Sequence, residues 1–357
     1  MQIFENPYRG KPHAIALPVS IPYPLPASDT LRDLLARCPE ARATPLVDAP
    51  ELALVAGVAK VHVKDERQRM GLGSFKALGG AYVIARDAQA TGNANMATAL
   101  SGITYVTASA GNHGLSVAAG ARVFGARAIV HLSSGVSETF ARRLRDIGAE
   151  VVRSGDDYEA SVEAARRQAE AMGWRFLSDG SWEGYVDIPL RVMEGYTQLM
   201  QEVAAVIPEP PTHIFAQAGV GGLAAAMAVA ARQHWGGAPV FIVVEPVEAA
   251  ALYASVRAGR PVNAPGLPST MGRLDCKEPS LIALKGLARD ADVFLTISDA
   301  EVAGQLEVLR QAGLATTPSG GAGLAALLAS APVRDRLRLT QASRVLTVVS
   351  EIPEPDA

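Results

Sequence analysis

Residues 213–245 read HIFAQAGVGGLAAAMAVAARQHWGGAPVFIVVE, and the fold is decided there. A β-rich run, 213–216, meets a glycine turn, Gly219-Val220-Gly221-Gly222. An alanine-rich segment of helical length, 222–233, follows, and a second β-rich run covers 240–245. Two strands joined through a helix of ten or more residues form a βαβ crossover, which makes the strands parallel. Outward from this unit the rhythm repeats along nearly the whole chain. Strands are predicted at 61–64, 104–107, 128–132, 150–154, 293–297 and 344–349. Helices are predicted at 75–88, 114–124, 138–147, 158–172, 189–205, 299–312 and 320–328. The class is α/β, with open parallel or mixed sheets. Ligands in such folds sit where loops leave the carboxyl ends of strands.

The chain has 357 residues, which at ~150 residues per domain gives about two domains. Apolar residues make up 49% and charged residues 19%, enough for a large core and too apolar for general disorder. Thirty-three basic residues against 36 acidic ones leave a net charge of −3, so no excess exists to neutralise nucleic-acid phosphates. Cys38 and Cys276 cannot build a disulfide framework or a four-thiolate zinc site, and the histidines never fall at HExxH spacing. No metal is expected. The opening MQIFENPYRGKPH is polar, so no signal peptide is expected, and no apolar run approaches the ~20 residues of a membrane span. A cytoplasmic protein is the expectation. Prolines at 7, 12, 18, 22, 24 and 26 predict an extended N-terminal arm without regular structure. The Pro/Gly-rich stretch 259–277 reads as a surface connection.

Four segments bring small residues together with reactive ones at strand ends or helix starts. In Gly71-Leu72-Gly73-Ser74-Phe75-Lys76 the lysine opens a helix among small, apolar neighbours. Desolvation and the positive helix end would push it toward the neutral amine that imine chemistry needs. Ser109-Ala110-Gly111-Asn112-His113-Gly114 would leave backbone N–H groups open for a carboxylate or phosphate, and the Asn112 amide could bond a ring hydroxyl. Gly219-Val220-Gly221-Gly222-Leu223-Ala224 fits G-x-G-x-x-A, with Glu245 about 20 residues on. That pattern admits a nicotinamide dinucleotide, yet a glycine turn binds one phosphate monoester equally well. The run 344–351 delivers Ser350 at the carboxyl end of a buried strand. An amine, an amide, a phosphate cup and a hydroxyl together match pyridoxal phosphate.

The same residues carry a resemblance. The chain resembles the fold-type II pyridoxal-phosphate enzymes, the tryptophan-synthase-β-like superfamily, and within it the diaminopropionate ammonia-lyases. The likeness runs from Asn6-Pro7-Tyr8-Arg9-Gly10 through Thr44-Pro45-Leu46 to Glu351. Its most specific parts are Val63-Lys64-Asp65-Glu66, Phe75-Lys76-Ala77-Leu78-Gly79-Gly80 and the loop 107–114. Asp179-Gly180-Ser181-Trp182-Glu183-Gly184-Tyr185 singles out the lyase branch, which Ser269-Thr270-Met271 and Leu274-Asp275-Cys276 support. The resemblance implies two α/β lobes, a large one from 1–77 with 193–357 and a small one from 78–192, with the cofactor between them.

It further implies that Lys76 is the Schiff-base lysine and that Asn112 sits beside the ring hydroxyl. Gly219, Val220, Gly221, Gly222 and Leu223 would hold the phosphate, and Ser350 would face the pyridine nitrogen. Ser109, Ala110, Gly111, Asn112 and His113 would take the substrate carboxylate. Asp179 would share proton abstraction with the freed Lys76, and the protein would be a homodimer. The implied reaction eliminates the β-substituent of a 2-amino acid, from 2,3-diaminopropionate to pyruvate and ammonia. Ala110 stands where the lyase branch usually carries Asp, and Thr317 where an acid often precedes Pro-Ser-Gly. The first favours a serine/threonine or hydroxyaspartate dehydratase as the alternative. The second leaves Thr317 or Ser319 as rivals to Ser350. A dinucleotide-dependent oxidoreductase and a catalytically silent cofactor- or amino-acid-binding sensor rank lower.

Overall fold

The computed structural model describes residues 1–109 and 111–353. Its strands are β1 (Gln2–Glu5), β2 (Leu46–Asp48), β3 (Lys60–Asp65), β4 (Thr104–Ala108), β5 (Arg127–Leu132), β6 (Glu150–Arg153), β7 (Arg175–Phe176), β8 (His213–Gln217), β9 (Val240–Pro246), β10 (Val293–Ile297) and β11 (Arg344–Val349). They form a seven-stranded sheet, β1-β10-β9-β8-β11-β3-β2, and a four-stranded sheet, β6-β5-β4-β7. All pairs in the small sheet are parallel. In the large sheet β10, β9, β8, β11 and β3 run parallel, and antiparallel β1 and β2 close the edges.

Register explains why distant segments meet. β11 lies between β3 and β8, pairing Thr347 with both Val63 and Phe215. The loops leaving β3, β11 and β8 therefore emerge side by side at one end of the sheet. Helix Gly222–Trp235 packs behind them with Ala224, Ala225, Ala226, Met227 and Ala228 all buried. Alanine-sized side chains let helix Leu281–Asp290 come close on its other side.

Local chemistry sets the element ends. Helix Tyr158–Met172 starts where the Asp157 carboxylate accepts from Ala160 N, and stops at Gly173 in the left-handed conformation. Helix Pro318–Leu328 has Thr317 as its cap, accepting from Gly320 N. Both are sequence-readable signals, and both predicted segments are helical.

Four expectations need correction. The N-terminal arm does form a strand, β1, because Gln2–Glu5 precedes the first proline and keeps its N–H donors for pairing with β10. The predicted helix 75–88 divides into a 3₁₀ turn, Phe75–Leu78, and an α-helix, Gly80–Ala90. The predicted helix 189–205 divides at Thr197, whose hydroxyl donates to Glu194 O at 2.5 Å, giving Asp187–Tyr196 and Gln198–Val206. The stretch 259–277 is irregular but not merely superficial, since Met271 is fully buried in the core of the large sheet. Among the described residues no helix is long and apolar enough to cross a membrane.

Candidate active site

Lys76 and Asp179 form an ion pair, Nζ donating to Oδ2, between the turn after β3 and the segment after β7. Burial alone would lower the lysine, but the charge and hydrogen bond of Asp179, with Tyr196 beside them, raise it above its ordinary value. The desolvation expected to neutralise the lysine is thus outweighed by its carboxylate partner. Lys76 also lies in a 3₁₀ turn rather than opening an α-helix, so the helix-end field is weaker than the sequence suggested. The Asp179 carboxylate responds in kind. Burial would raise it, yet Lys76 and then His113 hold it well below the usual carboxylate range.

Close backbone approach seats the lysine. A Cβ on Gly195 would fall 2.0 Å from Leu78 O, so only glycine lets helix Asp187–Tyr196 press onto the lysine turn. This brings the Tyr196 ring to 4.8 Å from the Phe75 ring and 5.6 Å from Lys76 Nζ. The Nζ also lies 5.2 Å from the Phe75 ring, so the two adjoining rings form one aromatic wall beside it.

Asp179 is held from both ends. Trp182 and Tyr185 stack at 4.5 Å across a tight turn, and Tyr185 Oη accepts from Ser178 N at 2.9 Å and donates to Phe176 O at 3.0 Å. On the far side the Ser181 and Ser280 hydroxyls bond at 2.7 Å, and Ser280 N donates to Val220 O at 3.0 Å. The acid segment is therefore tied to the glycine turn through Ser280.

That turn follows β8 and opens helix Gly222–Trp235, whose first N–H groups lack helical acceptors and favour an anion. Gly221 has φ +102°, and a Cβ there would meet Leu252 at 2.9 Å and Ala283 at 3.0 Å. Glu245 does not reach toward a ligand. It is fully buried and accepts from Leu252 N at 2.8 Å and Tyr253 N at 2.7 Å. The ribose contact required by the dinucleotide reading is consequently absent from Glu245.

The loop after β4 is organised by Ser109 Oγ, which accepts from Gly111 N at 3.2 Å and Gly114 N at 3.0 Å. Ala110 lies outside the described residues. His113 Nε2 donates to Leu177 O at 3.1 Å, leaving Nδ1 buried without a hydrogen-bond partner among the described residues. Burial above all lowers this imidazole, against the opposing charge of Asp179. Asn112 Nδ2 donates to Glu351 Oε2 at 2.5 Å.

Glu351 was not singled out as a site residue by sequence reasoning. It is 3% exposed, follows Ser350, and accepts from Arg273 Nη1 at 2.6 Å and from Thr317 Oγ1. A carboxylate thus reaches the Thr317 position from another strand. Thr317 and Ser319 hydroxyls are both engaged, the latter accepting from Arg273 N at 3.1 Å. Ser350 is buried with its backbone bonded to Gly320 and Phe75, and its hydroxyl makes no hydrogen bond among the described residues. Cys276 lies at the same turn, a Gly219 Cβ falling 3.0 Å from its Sγ, and burial pushes its thiol up to about 12. Arg273, Tyr196 and Glu351 give no motif-level signal because their partners lie far off in the chain.

The arrangement offers an amine facing a carboxylate, an anion cup, an amide and a free hydroxyl. A family model described as pyridoxal-phosphate dependent enzyme matches residues 38–351. The diaminopropionate ammonia-lyase of Escherichia coli (strain K12) is 31% identical over 339 residues, covering 87% of this chain and 84% of the relative. A crystal structure of the Escherichia coli diaminopropionate ammonia lyase in complex with D-serine superimposes with a TM-score of 0.87 at 28% identity, covering 98% and 93% of the two chains. A second, in complex with an aminoacrylate-PLP azomethine reaction intermediate, gives 0.83 at 28% identity with the same coverage.

Proposed function

The chain belongs to the pyridoxal-phosphate dependent enzymes and, within them, to the diaminopropionate ammonia-lyases, and we propose that it converts 2,3-diaminopropionate and water to pyruvate and two molecules of ammonia. Pyridoxal 5'-phosphate is the cofactor. The residues fit it on the chain's own terms: a glycine turn crowded at Gly219 and Gly221, a half-buried lysine, and unpartnered buried polar atoms at Ser74 Oγ and His113 Nδ1. When bound, its conjugated ring takes up the electron pair left on Cα after proton loss.

Lys76 would hold the cofactor through Nζ, and the backbone N–H groups of Gly219, Val220, Gly221, Gly222 and Leu223 would hold its phosphate. Asn112 would bond the ring hydroxyl. Ser350 would meet the pyridine nitrogen, a reading supported against Thr317, which donates its hydroxyl to Glu351, while Ser350's makes no hydrogen bond among the described residues. Ser109, Gly111, Asn112 and His113 would bind the substrate carboxylate, as would Ala110.

The Lys76–Asp179 pair carries the proposal. To attach the cofactor Nζ must lose a proton, and Asp179 Oδ2 already accepts a hydrogen bond from it. The two groups then hold one proton between them, so one can accept from Cα while the other keeps a proton for the leaving β-amine. An amine leaves only when protonated, which is why an acid at this spot matters. Burial would raise the Asp179 carboxyl, and it is the charge of Lys76 that holds it low, so its basicity rises once Nζ gives up its proton.

The small lobe, 78–192, would carry the carboxylate loop and Asp179, and the large lobe, 1–77 with 193–357, the lysine and phosphate cup. A cytoplasmic location is supported by the two cysteines being unpaired, and a homodimer by the family pattern. Ala110 in place of an acid favours the second reading, a serine/threonine or hydroxyaspartate dehydratase. Pyruvate release from D- and L-2,3-diaminopropionate and from serine separates the two. The lyase reading expects kcat/KM for one diaminopropionate isomer to exceed that for serine at least tenfold; the reverse order overturns it.

A further inference from the structure

We propose that Glu351 is a positioning residue whose carboxylate turns the Asn112 amide so that its nitrogen, and not its carbonyl oxygen, is the end offered to the cofactor. The proposal rests on the reading above that Asn112 meets the ring hydroxyl. An asparagine amide can flip end for end, and its two ends differ in chemistry: one donates twice, the other only accepts. An ionised carboxylate only accepts. With Glu351 Oε2 at 2.5 Å from Asn112 Nδ2, a flip would set two acceptor oxygens face to face in a buried site. One N–H is thereby spent on Glu351, and among the described residues no acceptor takes the second. A ring oxygen that is ionised accepts, so the nitrogen end matches it and the carbonyl end would repel it.

Glu351 is itself immobilised well enough to act as a guide. Its Oε1 accepts from Arg273 Nη1 at 2.6 Å and from Thr317 Oγ1, and its backbone O accepts from Thr316 Oγ1 at 2.6 Å. An isolated bridge joins Ser74 to Glu351, and Ile352 N donates to Gly73 O at 2.9 Å. The same residue therefore contacts the lysine turn, the asparagine loop, the cap of helix Pro318–Leu328 and the loop carrying Arg273. Arg273 offsets the buried charge. Glu351 and Asn112 lie 239 positions apart, so only the folded chain makes the pair.

A double-mutant cycle on cofactor affinity tests this. Apoprotein prepared from the holoenzyme is titrated with pyridoxal 5'-phosphate, and Kd is read from absorbance, for wild type, N112A, E351Q and the double variant. Each single change is expected to weaken binding about tenfold, the worth of one hydrogen bond to a charged group. The double variant should be no weaker than N112A, because Glu351 acts through Asn112. Multiplying losses, near a hundredfold in the double variant, would overturn the proposal, as would unchanged affinity in E351Q. Unchanged affinity in N112A would overturn it together with the Asn112 reading, while pyruvate release from 2,3-diaminopropionate would still report the lyase reading separately. Should E351Q fail to fold, E351D keeps the charge but shortens its reach, and the same cycle with the same expected non-additivity applies.

Discussion

Lys76 Nζ and Asp179 Oδ2 meet as an ion pair although 103 positions separate them in the chain. Neither residue alone has the properties the pair has. Buried by itself, the lysine would tend to neutral and the acid to protonated; together each holds the other charged. Such a pair can pass a proton between its members, and the first two predictions below follow from that.

Lys76→Ala should abolish turnover and the imine absorbance band. Phosphate binding at the glycine turn does not depend on the lysine, so the variant should retain weak, reversible cofactor binding, measurable by equilibrium dialysis. A yellow, active K76A protein would remove the lysine from its assigned place.

Asp179→Asn keeps the shape of the side chain and removes its ability to take a proton. Cofactor binding should persist while kcat falls by about 10² or more, the usual worth of a general acid–base group. Near wild-type kcat would take Asp179 out of the reaction.

Gly221→Ala places a side chain at φ +102° and 2.9 Å from Leu252. The strain should cost at least about 1 kcal/mol of stability and distort the phosphate cup. Thermal denaturation should show a Tm lower by several degrees, and titration should show a pyridoxal 5'-phosphate Kd raised tenfold or more.

Away from the site, Lys64, Glu66, Arg69 and Glu202 form a buried ion network in which Arg69 Nη2 lies 2.7 Å from both carboxylates. Glu202→Ala would leave two cations against one carboxylate, and breaking such a pair costs roughly 3–5 kcal/mol. Burial would raise the Glu202 carboxyl, but Arg69 and Lys64 bring it below its ordinary value. A carboxyl lowered by folding stabilises fully above its unfolded pKa, and that contribution is lost as pH falls through the folded value. The Tm gap between wild type and E202A should accordingly narrow below about pH 4. A gap that widens on acidification would contradict the network's role.

What the sequence makes legible is what chemistry writes locally. The strand and helix rhythm, the glycine turn 219–222 and the loop 109–114 are contiguous, and each ends a parallel strand as expected. Charge states were less legible. Lys76 alone reads as a desolvated amine, and its ammonium form depends on Asp179 arriving from the other sheet. Glu351 reads as an ordinary strand end until Asn112, Arg273 and Thr317 converge on it. The G-x-G-x-x-A match misleads for the same reason: Glu245 stands at the right spacing but spends its carboxylate on Leu252 and Tyr253. Spacing fixes neighbours along a strand, and only the sheet order β8-β11-β3 brings these segments to one place.

The most direct measurement is the absorbance spectrum of the purified holoprotein during addition of L-2,3-diaminopropionate, with pyruvate followed in the same cuvette. An imine band that shifts on addition while pyruvate accumulates is the predicted result. A protein that stays colourless after incubation with pyridoxal 5'-phosphate, or a band that neither L- nor D-diaminopropionate moves, would contradict the account.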